Sequence, residues 1–325
     1  MENKKNDPET LPEIIRSAGR FRYEAMATVF EIYIIHEDHK YAGQAAREAF
    51  EAINRLEGIL SRYIENSDIS RINRLKTGEV IPVGLDTIEC LCIAAEMNEE
   101  TFGAFDITIG NLFECWLSKD KTLKTPSKEE LAEARKRTGM HLLEIDEDDF
   151  TVKALEDNVS VDLGAIGKGF AIDKAAEILK EWSLDTAFIH SGGSTILAAK
   201  KPSGTDGWPV TMSLPDWLWK KNAKAENKIE VLKKVYLHDT ALSGSNLEQG
   251  SHVIDPRLAR PVERNFAAWS KTSSTAKADA LSTALLAMTD DEAAKYFKKN
   301  PSHSGIAVTR QPNSTYEIHN YGQWA

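Results

Sequence analysis

The chain has 325 residues, 42% of them hydrophobic, and a formal net charge of −10. This length admits one large domain or two, the apolar content is enough for a sizeable core, and the acidic balance argues against nucleic acid bound over a broad basic face. Three cysteines, Cys90, Cys92 and Cys115, are too few for a disulfide framework and match no zinc spacing.

Residues 1–20 are polar and read as a flexible leader, with a single domain over 21–325. No stretch is long and apolar enough to span a membrane, so the chain reads as soluble: cytoplasmic, or exported if a signal segment has been removed. Met26–Ile35 reads as a strand and 40–60 as a helix by apolar spacing. Ser67 opens a short helix towards Leu75, and 85–101 forms another. Ala104–Gly110 is extended and broken by glycine. Ser127 and Glu130 make a capping box for a helix to about 138, and strands 141–145 and 150–154 flank an acidic turn. Residues 159–162 form a strand into Asp162, followed by a glycine turn and a helix to 182; Thr186–His190 is a buried strand into Ser191-Gly192-Gly193-Ser194. Strands near 208–213 and 230–238 are joined by a polar, Lys/Trp-rich loop, and Ser251–Arg257 is a short strand into a turn. Helices at 276–289 and 291–299 precede strands 304–309 and 315–320. Strands and helices do not alternate strictly, which points to an α+β fold rather than a doubly wound parallel sheet.

The glycine turn after Asp162 gathers backbone N–H groups, a helix start and Lys168 at one point, which suits a phosphate or diphosphate. It matches neither a Walker A spacing nor a dinucleotide fingerprint, and Lys168 also reads as a surface lysine. Asp279 and Thr283 stand four apart on one helix, so both point from one face. A hard cation such as Mg²⁺ would satisfy the pair, although a carboxylate near a helix start also serves as a cap. The 191–194 turn lets backbone approach a ligand or simply turns the chain. His252, beside a polar turn, is a functional candidate or a structural histidine, and Tyr63 and Phe105 either stack on a planar ring or pack in the core. No G-x-S-x-G elbow is present, which disfavours a serine hydrolase.

In order along the chain, six blocks resemble the ApbE family, the FAD:protein FMN transferases. Ala25-Met26-Ala27-Thr28 resembles A-M-G-T, with alanine in place of glycine. Leu60–Tyr63 with Ser67–Asn73 resembles S-x-Y…S-E-[LI]-S-R-[LI]-N, and Phe105–Gly110 resembles F-D-[PI]-T-[VI]-G. Asp162–Asp173 resembles the hallmark D-L-G-G-I-A-K-G-Y-A-[VI]-D, His252–Arg257 resembles H-I-[IM]-D-P-R, and Ala278–Ala284 resembles A-D-A-L-[AS]-T-A. The stretch Leu242–Gly250 departs from the family's S-G-x-Y-x-R, and Leu258–Pro261 from its T-G-[RK]-P. These departures bear on the adenosine side and the acceptor groove more than on a metal.

The resemblance implies an ApbE-like fold, mixed or antiparallel sheets with packed helices around a central flavin cleft. It implies Mg²⁺-dependent transfer of FMN from FAD to a threonine hydroxyl of a target flavoprotein, with AMP leaving. Hydrolysis of FAD to FMN and AMP, or flavin binding without catalysis, are the alternatives. Metal ligands would be Asp279, Ser282, Thr283 and the carbonyl of Ala165. FAD contacts would come from Met26, Tyr63, Ala104, Phe105, Asp106, Asp162, Lys168 and Val253, and His252 or Asp279 would take the acceptor's proton. The partners implied are FAD and an acceptor flavoprotein, with no nucleic acid and no membrane span.

Overall fold

A computed structural model describes residues 13–118, 122–214, 231–247, 253–310 and 316–324. The helices are α1 (Glu13–Arg16), α2 (His39–Leu60), α3 (Asp68–Ile72), α4 (Leu85–Glu100), α5 (Gly110–Trp116), α6 (Lys128–Lys136), α7 (Gly167–Glu181), α8 (Thr275–Ala287) and α9 (Asp290–Lys299). The strands are β1 (Gly19–Ala25), β2 (Thr28–Ile34), β3 (Val80–Pro82), β4 (Leu143–Asp146), β5 (Thr151–Ala154), β6 (Ala187–Ser191), β7 (Thr195–Ala198), β8 (Trp208–Ser213), β9 (Val231–Leu237), β10 (Thr240–Asn246), β11 (Ile254–Asp255), β12 (Arg260–Pro261), β13 (Asn265–Thr272), β14 (Ser304–Arg310) and β15 (Tyr316–Tyr321).

Eight strands form one sheet in the order β1-β2-β6-β7-β10-β13-β14-β15, antiparallel throughout. Period-two alternation gives each strand two faces. Phe30, Ile32 and Ile189 face a layer holding α2, α4, α7 and α8, and pack there with Ile53, Leu56, Phe170 and Leu281. The opposite face carries Ala198, Leu242, Ile306 and Val308, which the β8–β9 hairpin covers with Trp208, Val210, Met212 and Leu237. Because Leu242 faces the hairpin, its neighbours Ser243 and Ser245 turn to the helical side. Helix α8 is buried nearly all round, from Thr275 and Ala276 to Leu285 and Leu286, as expected of a helix with no polar stripe.

The α+β class and the antiparallel sheet agree with the sequence reading. Several elements differ. Met26–Ile35 is the turn and second strand of a hairpin whose first strand, β1, begins inside the stretch read as a leader. Arg20, Arg22 and Glu24 alternate along β1 on its open side, so its polarity hides it. Helix α1 also falls within that leader, whose residues 1–12 lie outside the described residues, as does the polar loop between β8 and β9. The strand before Asp162 is a single parallel bridge, Ile109 to Ser160. Gly110 begins helix α5 instead of ending an extended run, and it is pressed on Ser160 so closely that a Cβ would overlap that side chain.

Candidate active site

The blocks that seemed separate in sequence are cross-tied in space. Ser67 and Ser70 Oγ donate to the carbonyls of Ser61 (2.6 Å) and Arg62 (3.0 Å), so the second half of the serine block fixes the loop that carries Tyr63. Asn73 closes a two-way pair with Val161, accepting its N–H at 2.6 Å and donating to its carbonyl at 3.0 Å. Ile107 O accepts the N–H of Asp162 at 2.7 Å. Two blocks thus hold the glycine turn.

In that turn, Asp162 Oδ1 accepts the Gly164 N–H at 2.8 Å and Oδ2 accepts Arg62 Nη1 at 3.0 Å. Arg62 also reaches Glu114 at 2.8 Å, and its guanidinium carbon lies 5.8 Å from the centroid of the Tyr63 ring. Tyr63 is 85% exposed, so its ring is free to stack on a planar ligand. Lys168, in the first turn of α7, donates to Gly164 O at 2.9 Å and stands 3.6 Å from Asp279 Oδ2. Gly164 therefore bridges the Asp162–Tyr63 group to Asp279.

Asp279 is 4% exposed. Its Oδ1 accepts Thr195 Oγ1 at 3.2 Å and Ser243 Oγ at 3.1 Å, and its Oδ2 accepts the Gly169 N–H at 3.3 Å. One turn on, Ser282 and Thr283 back-bond to the Asp279 carbonyl at 3.0 and 3.3 Å. Ser245 Oγ meets Ser282 Oγ at 2.7 Å and Thr283 Oγ1 at 3.2 Å. Across the β6–β7 pair from Thr195, Ser191 Oγ is buried without a hydrogen-bond partner among the described residues. Among the described residues no three His, Cys, Asp or Glu side chains gather to hold a metal; the donors here are one carboxylate and a row of hydroxyls.

Helix α8 is clamped at both ends. Asp173 accepts the N–H groups of Thr275 (2.8 Å) and Ala276 (2.9 Å) and the Ser274 hydroxyl at 2.9 Å. Burial pushes the Asp173 carboxyl up, against the pull of those donors. At the other end Arg257 Nη2 donates to Ala287 O at 2.9 Å, while the same guanidinium holds Asp255 and Glu292. An anion at the N-terminus and a cation at the C-terminus both oppose the helix dipole favourably.

The remaining sequence candidates are placed less simply. Ala104 and Phe105 are buried, at 4% and 3% exposure, so the Phe105 ring is core and does not stack. Asp106 is a loop staple whose carboxylate accepts Thr108 N–H and Oγ1 at 2.7 and 2.6 Å and Met140 N–H at 3.2 Å; burial pushes its carboxyl up. Met26 and Val253 are half-buried against the helical-side core, as is Ala165. Met26 sits in the β1–β2 turn with φ of 49°, beside Ala27 at 54°. The Gly192 turn is next to it: Gly192 donates to Val29 O at 2.9 Å, and a Cβ there would strike Thr28. His252 lies outside the described residues.

Sequence reasoning missed Arg62, Asp173, Thr195, Ser243 and Ser245. Asp173 closes the hallmark block, and Ser243 and Ser245 stand two apart in a stretch read only as a departure. In the structure part of that stretch is β10, which packs directly on α8. The signal available was the i, i+2 spacing of the two serines, which puts both on one strand face.

The ApbE family model matches residues 26–308. The FAD:protein FMN transferase of Chlamydia muridarum is 28% identical over 271 residues, covering 82% of this chain and 82% of that protein. The protein of that name from Salmonella typhimurium is 26% identical and covers 88% of this chain and 81% of its own. Among solved structures, the flavin transferase ApbE from Vibrio cholerae superposes with a TM-score of 0.79 at 22% identity, covering 94% of this chain and 97% of that one. The family model spans every element that builds the glycine turn and the α8 face, and the chain belongs to the ApbE family.

Proposed function

We propose that this protein transfers FMN from FAD to a threonine hydroxyl of an acceptor flavoprotein, releasing AMP, and that it requires Mg²⁺. The observation that carries this reading is the buried Asp279 carboxylate, facing Ser282 and Thr283 on its own helix and Lys168 across from it. Among the described residues its nearest cation is Lys168 Nζ, 3.6 Å away, which leaves a buried negative charge loosely compensated. Oxygen donors of this kind suit a hard divalent cation. Asp279, Ser282, Thr283 and the Ala165 carbonyl would hold it. When bound, Mg²⁺ supplies neutralisation of the diphosphate charge and stabilisation of the AMP leaving group.

The chain's own residues do the rest. Tyr63 stacks on a ring of FAD, and Asp162, held by Arg62 and Gly164, accepts a hydrogen bond from the nucleotide. Lys168 and the N–H groups of the glycine turn place fixed positive potential beside the phosphates. Met26, Val253 and the backbone of Ala104, Phe105 and Asp106 border the flavin nucleotide. The acceptor oxygen bonds to the FMN phosphorus as the phosphorus–oxygen bond to AMP breaks, and the acceptor's proton must leave. Asp279 already accepts from Thr195, Ser243 and Gly169, which favours His252 as the base. Such help contributes roughly 10²–10⁴-fold.

Asp279→Asn keeps the side-chain shape and most of its acceptor bonds. It is expected to lose Mg²⁺-dependent release of AMP from FAD while keeping a folded circular dichroism spectrum. Turnover at the parent rate in the variant would refute the metal assignment.

A further inference from the structure

Resting on that metal reading, we propose that Ser245, on strand β10, is a further ligand of the divalent cation. Ser282 and Thr283 both donate back into their own helix, to the Asp279 carbonyl at 3.0 and 3.3 Å. Thr283 thus directs its proton into the helix, and Ser282 shares its own between the helix and Ser243 Oγ at 3.4 Å, so both oxygens keep lone pairs to accept with. The hydroxyl that meets both of them is Ser245, at 2.7 and 3.2 Å. In this arrangement Ser245 gives its single proton to one of the two, and its own lone pairs are left to accept. A hydroxyl so arranged is a neutral oxygen donor aimed into the same space as Thr283.

The backbone makes this position specific. Ser243, two residues earlier on the same face of β10, holds Asp279 Oδ1 at 3.1 Å, so both serines of the strand act on the α8 face. Gly244 between them turns its other side to Trp269, where a Cβ would overlap the indole. Its N–H bonds Ser194 O at 2.8 Å, tying β10 to the glycine turn after β6. Pinned from both sides, β10 cannot slide along α8, and Ser245 is delivered to Ser282 and Thr283 by register rather than by side-chain reach. The cation site then draws on three elements, the turn before α7, the α8 face and β10.

The test is isothermal titration of the full chain, without FAD, with Mg²⁺ alone and with Cd²⁺ alone. Ser245→Ala is expected to weaken Mg²⁺ binding about tenfold, the scale seen when a metal's supporting groups are removed. Ser245→Cys, which is nearly isosteric, is expected to weaken Mg²⁺ similarly while tightening Cd²⁺, because a thiolate prefers the softer ion. A merely structural serine would not exchange one metal preference for the other. Parent-like affinity for both ions in both variants, with binding lost in Asp279→Asn, would overturn the Ser245 assignment and leave the metal reading standing. Parent-like Mg²⁺ binding in Asp279→Asn, or no uptake by the parent chain, would remove the metal reading and this inference with it.

Discussion

At the scale of single residues, the β1–β2 turn carries a local cost at the rim of the site. A two-residue hairpin matched to strand twist needs positive φ at both central positions. Here they are Met26 at 49° and Ala27 at 54°, neither of them glycine or asparagine. A left-handed alanine costs roughly 1–2 kcal/mol relative to its right-handed form, a penalty glycine does not carry. Ala27→Gly should therefore raise the unfolding free energy by about 1 kcal/mol in urea melts, less what the freer unfolded chain takes back. A variant less stable than the parent would show that the alanine methyl contributes packing that outweighs the strain. Tyr63 is a contrasting case, because its exposed ring is held by its loop and not by a pocket. Ser67 and Ser70 fix the carbonyls on either side of Arg62, and Arg62 approaches the ring.

At the scale of elements, the site depends on how closely α7 and α8 approach. Gly169 lies so near the Thr275 carbonyl that a Cβ would overlap it, and that contact brings the Gly169 N–H to Asp279. Gly169→Ala should push the helices apart at a cost of about 1–3 kcal/mol. A second effect distinguishes this from simple overpacking: Mg²⁺ affinity should fall along with the melting temperature. Lost stability with parent-like Mg²⁺ affinity would mean that Asp279 does not depend on the helix crossing. The longer helices were legible in sequence because caps and 3.6-residue periodicity are local, whereas the short α1 and α5 were not. The capping box at Ser127 and Glu130 forms as read, with bonds of 2.8 and 3.1 Å. Strands β7, β10 and β13 were not legible. They run through the middle of the sheet, yet β10 reads TALSGSN, since small residues are what lets the sheet meet an alanine-rich helix. The β10 pattern resembles a loop by composition, and the hydroxyls that β7 and β10 bring to Asp279 were missed with the strands. The carboxylate and the lysine were legible as types at a spacing; that they stand together across 111 positions of chain came from the resemblance and not from local pattern.

At the scale of the molecule, one end of the large sheet gathers the site. The β1–β2 turn, the turn after β6, the start of β7 and the end of β10 lie at that end, and α8 crosses beside them. The opposite face, under the β8–β9 hairpin, is apolar packing that supports the sheet. No helix among the described residues is long and apolar enough to cross a membrane. What the whole chain does with FAD is read by incubating it with FAD and Mg²⁺, with and without an acceptor domain bearing the family's target threonine motif. FMN transfer predicts flavin bound covalently to the acceptor, with AMP released in equal amount. AMP released at the same rate whether or not acceptor is present, with no flavin on the acceptor, would contradict it.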